Sequence, residues 1–351
     1  MKNKKIKYQL HILMPLGPIF LSLANFATIP IILKSVSEQS YGYLGAILGI
    51  YNILVYIAAF NASGKLAILV TKKKFFQVKK FELVVMRFYL KFLILFLLLS
   101  ILLLFSNQFN LNFIDIFILC FLAYLQNINL LRITRFQFEK KYLIYLLYFF
   151  LVGFLSIFFT ACLSFYYQLG VSGRLAAMLL STLIGSILLF RKDLNTHNFI
   201  TKKKINWVSK VWFDYSIPLF PHMLASVLFI NMDRIILVSS SLSDSLGRYY
   251  LATQLAAPLL IIANALNVYM RVRIYENLSN GIEFRFDLVS MLYVLAMLLF
   301  SFLILVFAYW LQNYSNMLSG FIVIDLMLII VLGHILQSVY FLYSNKFLYH
   351  E

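Results

Sequence analysis

In the stretch SIPLFPHMLASVLFINMDRIIL, Ser216–Leu237, three side chains that can manage charge recur at helical spacing. His222, Ser226 and Asp233 are four and then seven residues apart, which places them on one face of a helix. Histidine titrates near neutral pH and a carboxylate can hold a proton or a metal cation. His222 and Asp233, with Asp325 further along, are therefore the candidate coupling-ion residues. The same residues have structural readings: His222 as a packing histidine, and Asp233–Arg234 as a membrane-end anchor whose arginine snorkels outward. A second set is cationic. Arg87 and Lys91 are one turn apart, with Lys65 upstream; together they can line a positive vestibule, or snorkel to the interface. Asn264, Asn267 and Arg271 follow the same three-to-four spacing, with Arg273 beside them. They read as a polar stripe able to meet an anion, as interhelical hydrogen bonding, or as simple juxtamembrane charge. Asp325 and His334 are nine residues apart on opposite faces of one segment and cannot act as a pair along it.

These side chains sit in a very apolar chain. Of 351 residues, 62% are hydrophobic and 12% charged, against about 25% charged in soluble domains. The class is an all-α polytopic membrane protein. Its net charge of +17 is spread in short clusters between apolar runs, which argues against nucleic acid as a partner. Cys120 and Cys162 both fall inside apolar runs without metal-ligand spacing. No cofactor or metal site is read from the sequence, and no G-x-x-x-x-G-K-[ST] loop is present to energise transport with nucleotide.

On the rule of about 20 apolar residues per crossing, about ten spans are expected. They lie near Leu10–Leu33, Tyr43–Ala62, Leu83–Phe105, Phe113–Leu131, Tyr142–Tyr166, Val171–Phe190, Phe213–Val238, Tyr249–Met270, Leu288–Leu311 and Leu318–Tyr343. Alternate connections carry the Lys and Arg clusters Lys2–Lys7, Lys72–Lys80, Arg132–Lys141, Arg191–Lys210 and Arg271–Arg285. That bias places both termini in the cytoplasm. The opposite side holds little beyond Lys34, Arg174 and Arg248, and its loops are short. Asp115 opens the fourth span and is expected at the interface.

The long basic connection Arg191–Trp212 divides the chain. The expected domains are a six-helix bundle over 1–190, a cytoplasmic linker over 191–212 and a second bundle of four helices over 213–351. Pro15-Leu-x-Pro18 in the first span matches Pro218-Leu-x-Pro221 in the seventh. Prolines at corresponding places in two halves mark hinge candidates and point to transporters built from repeated halves.

The order of IPLFP, MDRIIL, LGRYYLATQLA and ALNVYMRVRIYENL over Tyr215–Leu278 resembles the Wzx-type lipid-linked oligosaccharide flippases. These belong to the multidrug/oligosaccharidyl-lipid/polysaccharide exporter superfamily. QSYGYL, RFQFEKKYLIYLL, LGVSGRLAAMLL and LQSVYFLYSNKFLYHE extend the resemblance along the chain. It implies a fold like that of the multidrug and toxin extruders (MATE), with the last two helices of a twelve-span plan missing. The chain would then be a truncated or shortened form. Where the family often has a proline near the end of the eighth span, this chain has Arg271.

The implied function is a flippase, not an enzyme. It would carry undecaprenyl diphosphate-linked oligosaccharide to the outer leaflet of a bacterial inner membrane by alternating access, for O-antigen or capsule. Its implied partners are membrane lipids, H+ or Na+, a glycan polymerase and a chain-length regulator. The alternatives are a MATE-type multidrug/toxin cation antiporter, an inactive truncated product, and an integral-membrane glycan polymerase. The short external loops disfavour the polymerase.

Overall fold

The structure, a computed structural model, describes residues 16–71, 75–105, 113–139, 141–190, 202–239, 243–279, 287–314 and 324–350. Among these it is built from helices: α1 Leu16–Leu33, α2 Glu38–Ala59, α3 Ala62–Thr71, α4 Phe75–Phe105, α5 Phe113–Phe138, α6 Tyr142–Phe159, α7 Gly170–Phe190, α8 Lys202–Ser239, α9 Ser243–Ser279, α10 Leu288–Tyr314 and α11 Ile324–His350. A π-helical turn, Thr160–Tyr166, continues α6.

Long Leu/Ile/Phe runs satisfy every backbone group within one segment, the requirement for crossing hydrocarbon. Among the described residues nine helices are long and apolar enough to do so. The expected seventh span is helical too, within α8. Outward faces are apolar: Leu143, Phe154, Ile187, Phe302, Ile329 and Leu336 are all exposed, as expected for side chains whose solvent is lipid.

Local signals set the ends. Ser37 caps α2, its hydroxyl accepting from the Ser40 amide at 3.3 Å. Asp287 caps α10, accepting from both the amide and the hydroxyl of Ser290 at 2.9 Å. Between α2 and α3 the chain breaks without glycine: Phe60 and Asn61 both have positive φ, 40° and 49°. Asparagine tolerates that region and phenylalanine does not, so tertiary contacts must hold the break.

The helices cluster into two units, one up to Leu242 and one from Ser243. In the first, α5 lies at the centre and packs on α2, α3, α4 and α7, while α6 packs on α1 and α7. The residues expected as a solvated linker divide. Residues 202–212 are the first turns of α8, and Trp212 is fully buried because α8 lays its amino-terminal part on α3 and α4; residues 191–201 lie outside the described set. The seventh expected span thus packs on α2, α4 and α3 of the first unit. The second unit is the sheaf α9, α10 and α11, with Ala256, Leu259, Tyr293, Met297 and Val331 in its core.

Candidate functional site

Helix α8 has two distinct faces. Trp212, Ser216, Val227 and Asn231 recur at spacings of four and eleven residues and are buried, which defines the side turned to the first unit. His222 and Asp233, eleven residues or about three turns apart, share another side. There His222, Pro218 and Pro221 are exposed and Asp233 is half-buried. The hinge prolines on α8 therefore belong to the face that does not pack on the first unit. Pro18 is exposed in the first turn of α1, where a missing N–H costs little; Pro15 lies outside the described residues.

The inward face of α8 carries a polar contact that sequence reasoning missed. Asn52 of α2 donates to Asn231 Oδ1 at 3.3 Å, and Asn231 donates to the Val227 carbonyl at 2.8 Å. Arg234, three residues on, brings its Cδ near Gly49: a Cβ added there would lie 3.7 Å from it. Asp233 accepts from the Arg234 amide at 2.8 Å. The adjacent Asp233–Arg234 pair is thus split, the arginine toward α2 and the aspartate toward the proline face.

At the other end of the same helix pair, Trp212 donates its indole N–H to the Phe60 carbonyl at 3.0 Å. Its ring meets Phe60, Phe81 and Phe88 edge-on. Lys65 of α3 lies over the Tyr215 ring, 4.9 Å from its centroid. So Lys65 is held against α8, as a cation–π contact. Arg87 and Lys91 are placed elsewhere. Both are exposed on α4, on the stripe that also exposes Leu83, Ile94 and Leu98.

In the second unit, Asn267 is buried. The side chains of Asn264, Arg271 and Arg273 lie outside the described residues. Asp325 is exposed in the first turn of α11, and His334, half-buried, hydrogen-bonds Gln337 instead.

Two buried polar clusters in the first unit were also missed. Arg174, expected among the sparse external charges, is 5% exposed in α7. It donates to Ser156 Oγ (2.9 Å), Thr160 Oγ1 (2.8 Å) and Asn25 Oδ1 (3.1 Å), beside the π turn. Such turns recur at functional sites. At the opposite end, Glu82 of α4 receives Arg135 at 2.8 Å and Arg132 at 3.3 Å. Arg135 also binds Glu139 at 2.6 Å, and Glu139 pairs with Lys141. Within what reads as a basic loop, Arg132 and Arg135 are here a buried ionic junction of α4 and α5 with Glu82, and exposed Lys141 closes it at Glu139. The available signal was Glu82, an acid alone among Lys72–Lys91 basics at the mouth of an apolar run.

No protein-family model matches the sequence, and no curated protein does. Solved structures do match. The chain is similar to a MATE multidrug transporter, DinF-BH in a ligand complex, with a TM-score of 0.65 at 13% identity over 98% of this chain and 85% of that one. It is also similar to a MATE in complex with MaD5 (TM-score 0.57, 15% identity, 99% and 86% covered). A MATE in complex with MaL6 gives 0.53 at 17% identity over 99% and 85%. At these identities the likeness defines the fold: a multi-helix membrane protein of the MATE architecture.

Proposed function

We propose that the chain is an exporter of the MATE type that moves cargo across a membrane by alternating access, with no covalent chemistry of its own. The observation that supports this most is the similarity of nearly the whole chain to a MATE multidrug transporter. In this reading α8 is the moving wall. Its inner face is tied to α2 through Asn52–Asn231, and its proline face, with His222 and Asp233, borders the cargo path. The expected division into bundles 1–190 and 213–351 is the repeat plan on which that motion would work, with α8 at the joint between them in sequence and both termini cytoplasmic. Cation-coupled extrusion of an organic cation uses Asp233 as the attracting charge.

A second cargo reading is favoured by two observations, the excess of positive charge (+17) and the ordered run of flippase-like motifs over Tyr215–Leu278. Here the cargo is a lipid-linked oligosaccharide diphosphate, and Lys65 and Arg271 meet the anion. Purified protein in proteoliposomes separates the two. Efflux of a fluorescent organic cation that depends on a cation gradient and is lost in Asp233→Asn supports the extruder. Movement of a fluorescent lipid-linked glycan without efflux of the organic cation supports the flippase. Neither activity in folded protein would reject both.

A further inference from the structure

We propose that the exposed stripe of α4 is a binding site for the headgroup of an anionic phospholipid, with Arg87 and Lys91 holding its phosphate. Lys79, Leu83, Arg87 and Lys91 recur every four residues, and all four are exposed. The stripe continues through Ile94 and Leu98, exposed as well. One face of this helix thus runs from cations into hydrocarbon, in the order that a phospholipid runs from headgroup to acyl chains.

The depth of the two cations follows from helical rise. From Arg87 to the end of α4 at Phe105 the helix advances about 27 Å, and from Lys91 about 21 Å. A hydrocarbon core of about 30 Å ending at Phe105 therefore begins just on the amino-terminal side of Arg87. The ionic junction sets the same level. Glu82, five residues before Arg87, sits with Arg132 and Arg135, and exposed Lys141 closes that cluster at Glu139. Arg87 is then at the rim of the hydrocarbon, with Lys91 about 6 Å below it. Side chains on a helix lean toward its amino terminus, which directs both cations to the same headgroup layer.

Two like charges one turn apart repel, and more strongly at the rim of a low-dielectric layer than in water. Snorkelling alone moves both toward water and brings them closer together; an anion held between them removes the repulsion. The protein's own acids on and around α4 are committed elsewhere. Glu82, the acid of α4, is buried against Arg132 and Arg135. On α5, Glu139 holds Arg135 and Lys141, and Asp115, expected at the interface, is buried in the first turn at the opposite end. On α8, Asp214 is two residues from inward-facing Trp212 and so on the other side of the helix, and Asp233 accepts from the Arg234 amide. Glu38 opens α2, at the end away from Phe60. A lipid phosphate fits the vacancy in charge: arginine offers paired N–H donors and lysine a point charge, while the acyl chains lie along Ile94 and Leu98. A zwitterionic headgroup brings its own ammonium to the same place, so a net negative one is preferred. This site does not rest on the exporter reading.

Native mass spectrometry of the full chain in neutral detergent, titrated with phosphatidylglycerol or phosphatidylcholine, tests this. Phosphatidylglycerol should bind the wild type more tightly than phosphatidylcholine and raise its unfolding midpoint. Arg87→Leu/Lys91→Leu, which extends a leucine-rich lipid-facing stripe and should fold, should weaken phosphatidylglycerol about thirtyfold, the loss expected for two basic contacts to an anionic headgroup. Arg87→Lys/Lys91→Arg should keep the binding, and so should Lys34→Ala, which removes an exposed cation outside the stripe. Equal binding of the two lipids, unchanged phosphatidylglycerol binding in the leucine variant, or an equal loss in Lys34→Ala overturns the site. Protection of the wild type by sodium phosphate as strong as that by phosphatidylglycerol would assign the stripe to a free anion and overturn the lipid.

Discussion

Trp212 Nε1 reaches the carbonyl of Phe60 at 3.0 Å, and Phe60 is one of the two residues that break the second membrane helix in a left-handed conformation. The indole therefore supports a backbone geometry that phenylalanine adopts only under constraint. Any movement of α8 along α2 must either carry this joint or release it.

Replacing Trp212 with Phe keeps most of the ring contacts and removes the donor. The expected loss is about 1 kcal/mol, the usual net worth of such a bond, read as a lower unfolding midpoint in detergent. Trp212→Ala empties a fully buried site and should cost about 3–5 kcal/mol. Equal effects of the two variants would show that the hydrogen bond carries nothing.

Glu82 accepts from two arginines at 2% exposure. Glu82→Gln should destabilise the fold by about 3–5 kcal/mol, because Arg132 and Arg135 would lose the carboxylate that offsets their burial. The double variant Glu82→Gln/Arg135→Met should recover part of that loss. Thermal unfolding of the wild type, Glu82→Gln, Arg135→Met and the double variant measures the coupling directly.

The same junction gives a pH dependence. Burial pushes the Glu139 carboxyl up, but hydrogen bonds and charge from Lys141 and Arg135 outweigh it and hold the group below the ordinary carboxylate range. A carboxyl lowered in the folded state contributes stability that is present above its unfolded value, about 4.3, and is lost as pH falls below that toward the folded value. Wild-type protein should therefore lose stability more steeply with acid than Glu139→Gln. Parallel acid limbs for the two would refute the pairing.

Gly185 of α7 faces a ring. A Cβ there would lie 2.5 Å from Val152 Cγ2 and 2.8 Å from Tyr148 Cε2, both in the α6 seam. Gly185→Val should cost at least about 1–3 kcal/mol through overpacking and reduce the yield of folded protein. Gly49→Val in α2 should be milder, since a Cβ there meets only ordinary contacts.

The run lengths made the spans legible: apolar stretches such as Leu288–Leu311 became single helices with little change of boundary. The third expected span begins earlier, because Phe75–Leu83 is amphipathic, and helical turns there bury Val78 and Phe81 against Trp212. Long-range polar pairing was not legible. Arg174 reads as an external charge because its acceptors come from residues 25, 156 and 160, far apart in sequence. Asn52 and Asn231 are likewise 179 residues apart, so no local spacing announces them. Arg87 and Lys91 share a face, as their spacing requires; that this face also bears exposed leucines depends on how α4 turns its other side to α3 and α5.

Arg234 and Arg87 thus differ in a way that export assays can resolve. Arg234 is directed to α2 beside Gly49 and Asn231, at the contact on which α8 would move. Arg87 stands among Leu83, Ile94 and Leu98 on an exposed face, where a long basic side chain reaches the interface. Arg234→Ala should lower export by about tenfold, equivalent to about 1.4 kcal/mol, at normal membrane insertion. Arg87→Ala, and Lys91→Ala with it, should change export by less than about twofold, within the range of single surface charges. The measurement is initial export rate normalised to inserted protein. A tenfold loss in Arg87→Ala with none in Arg234→Ala would move the working surface from α8 to α4.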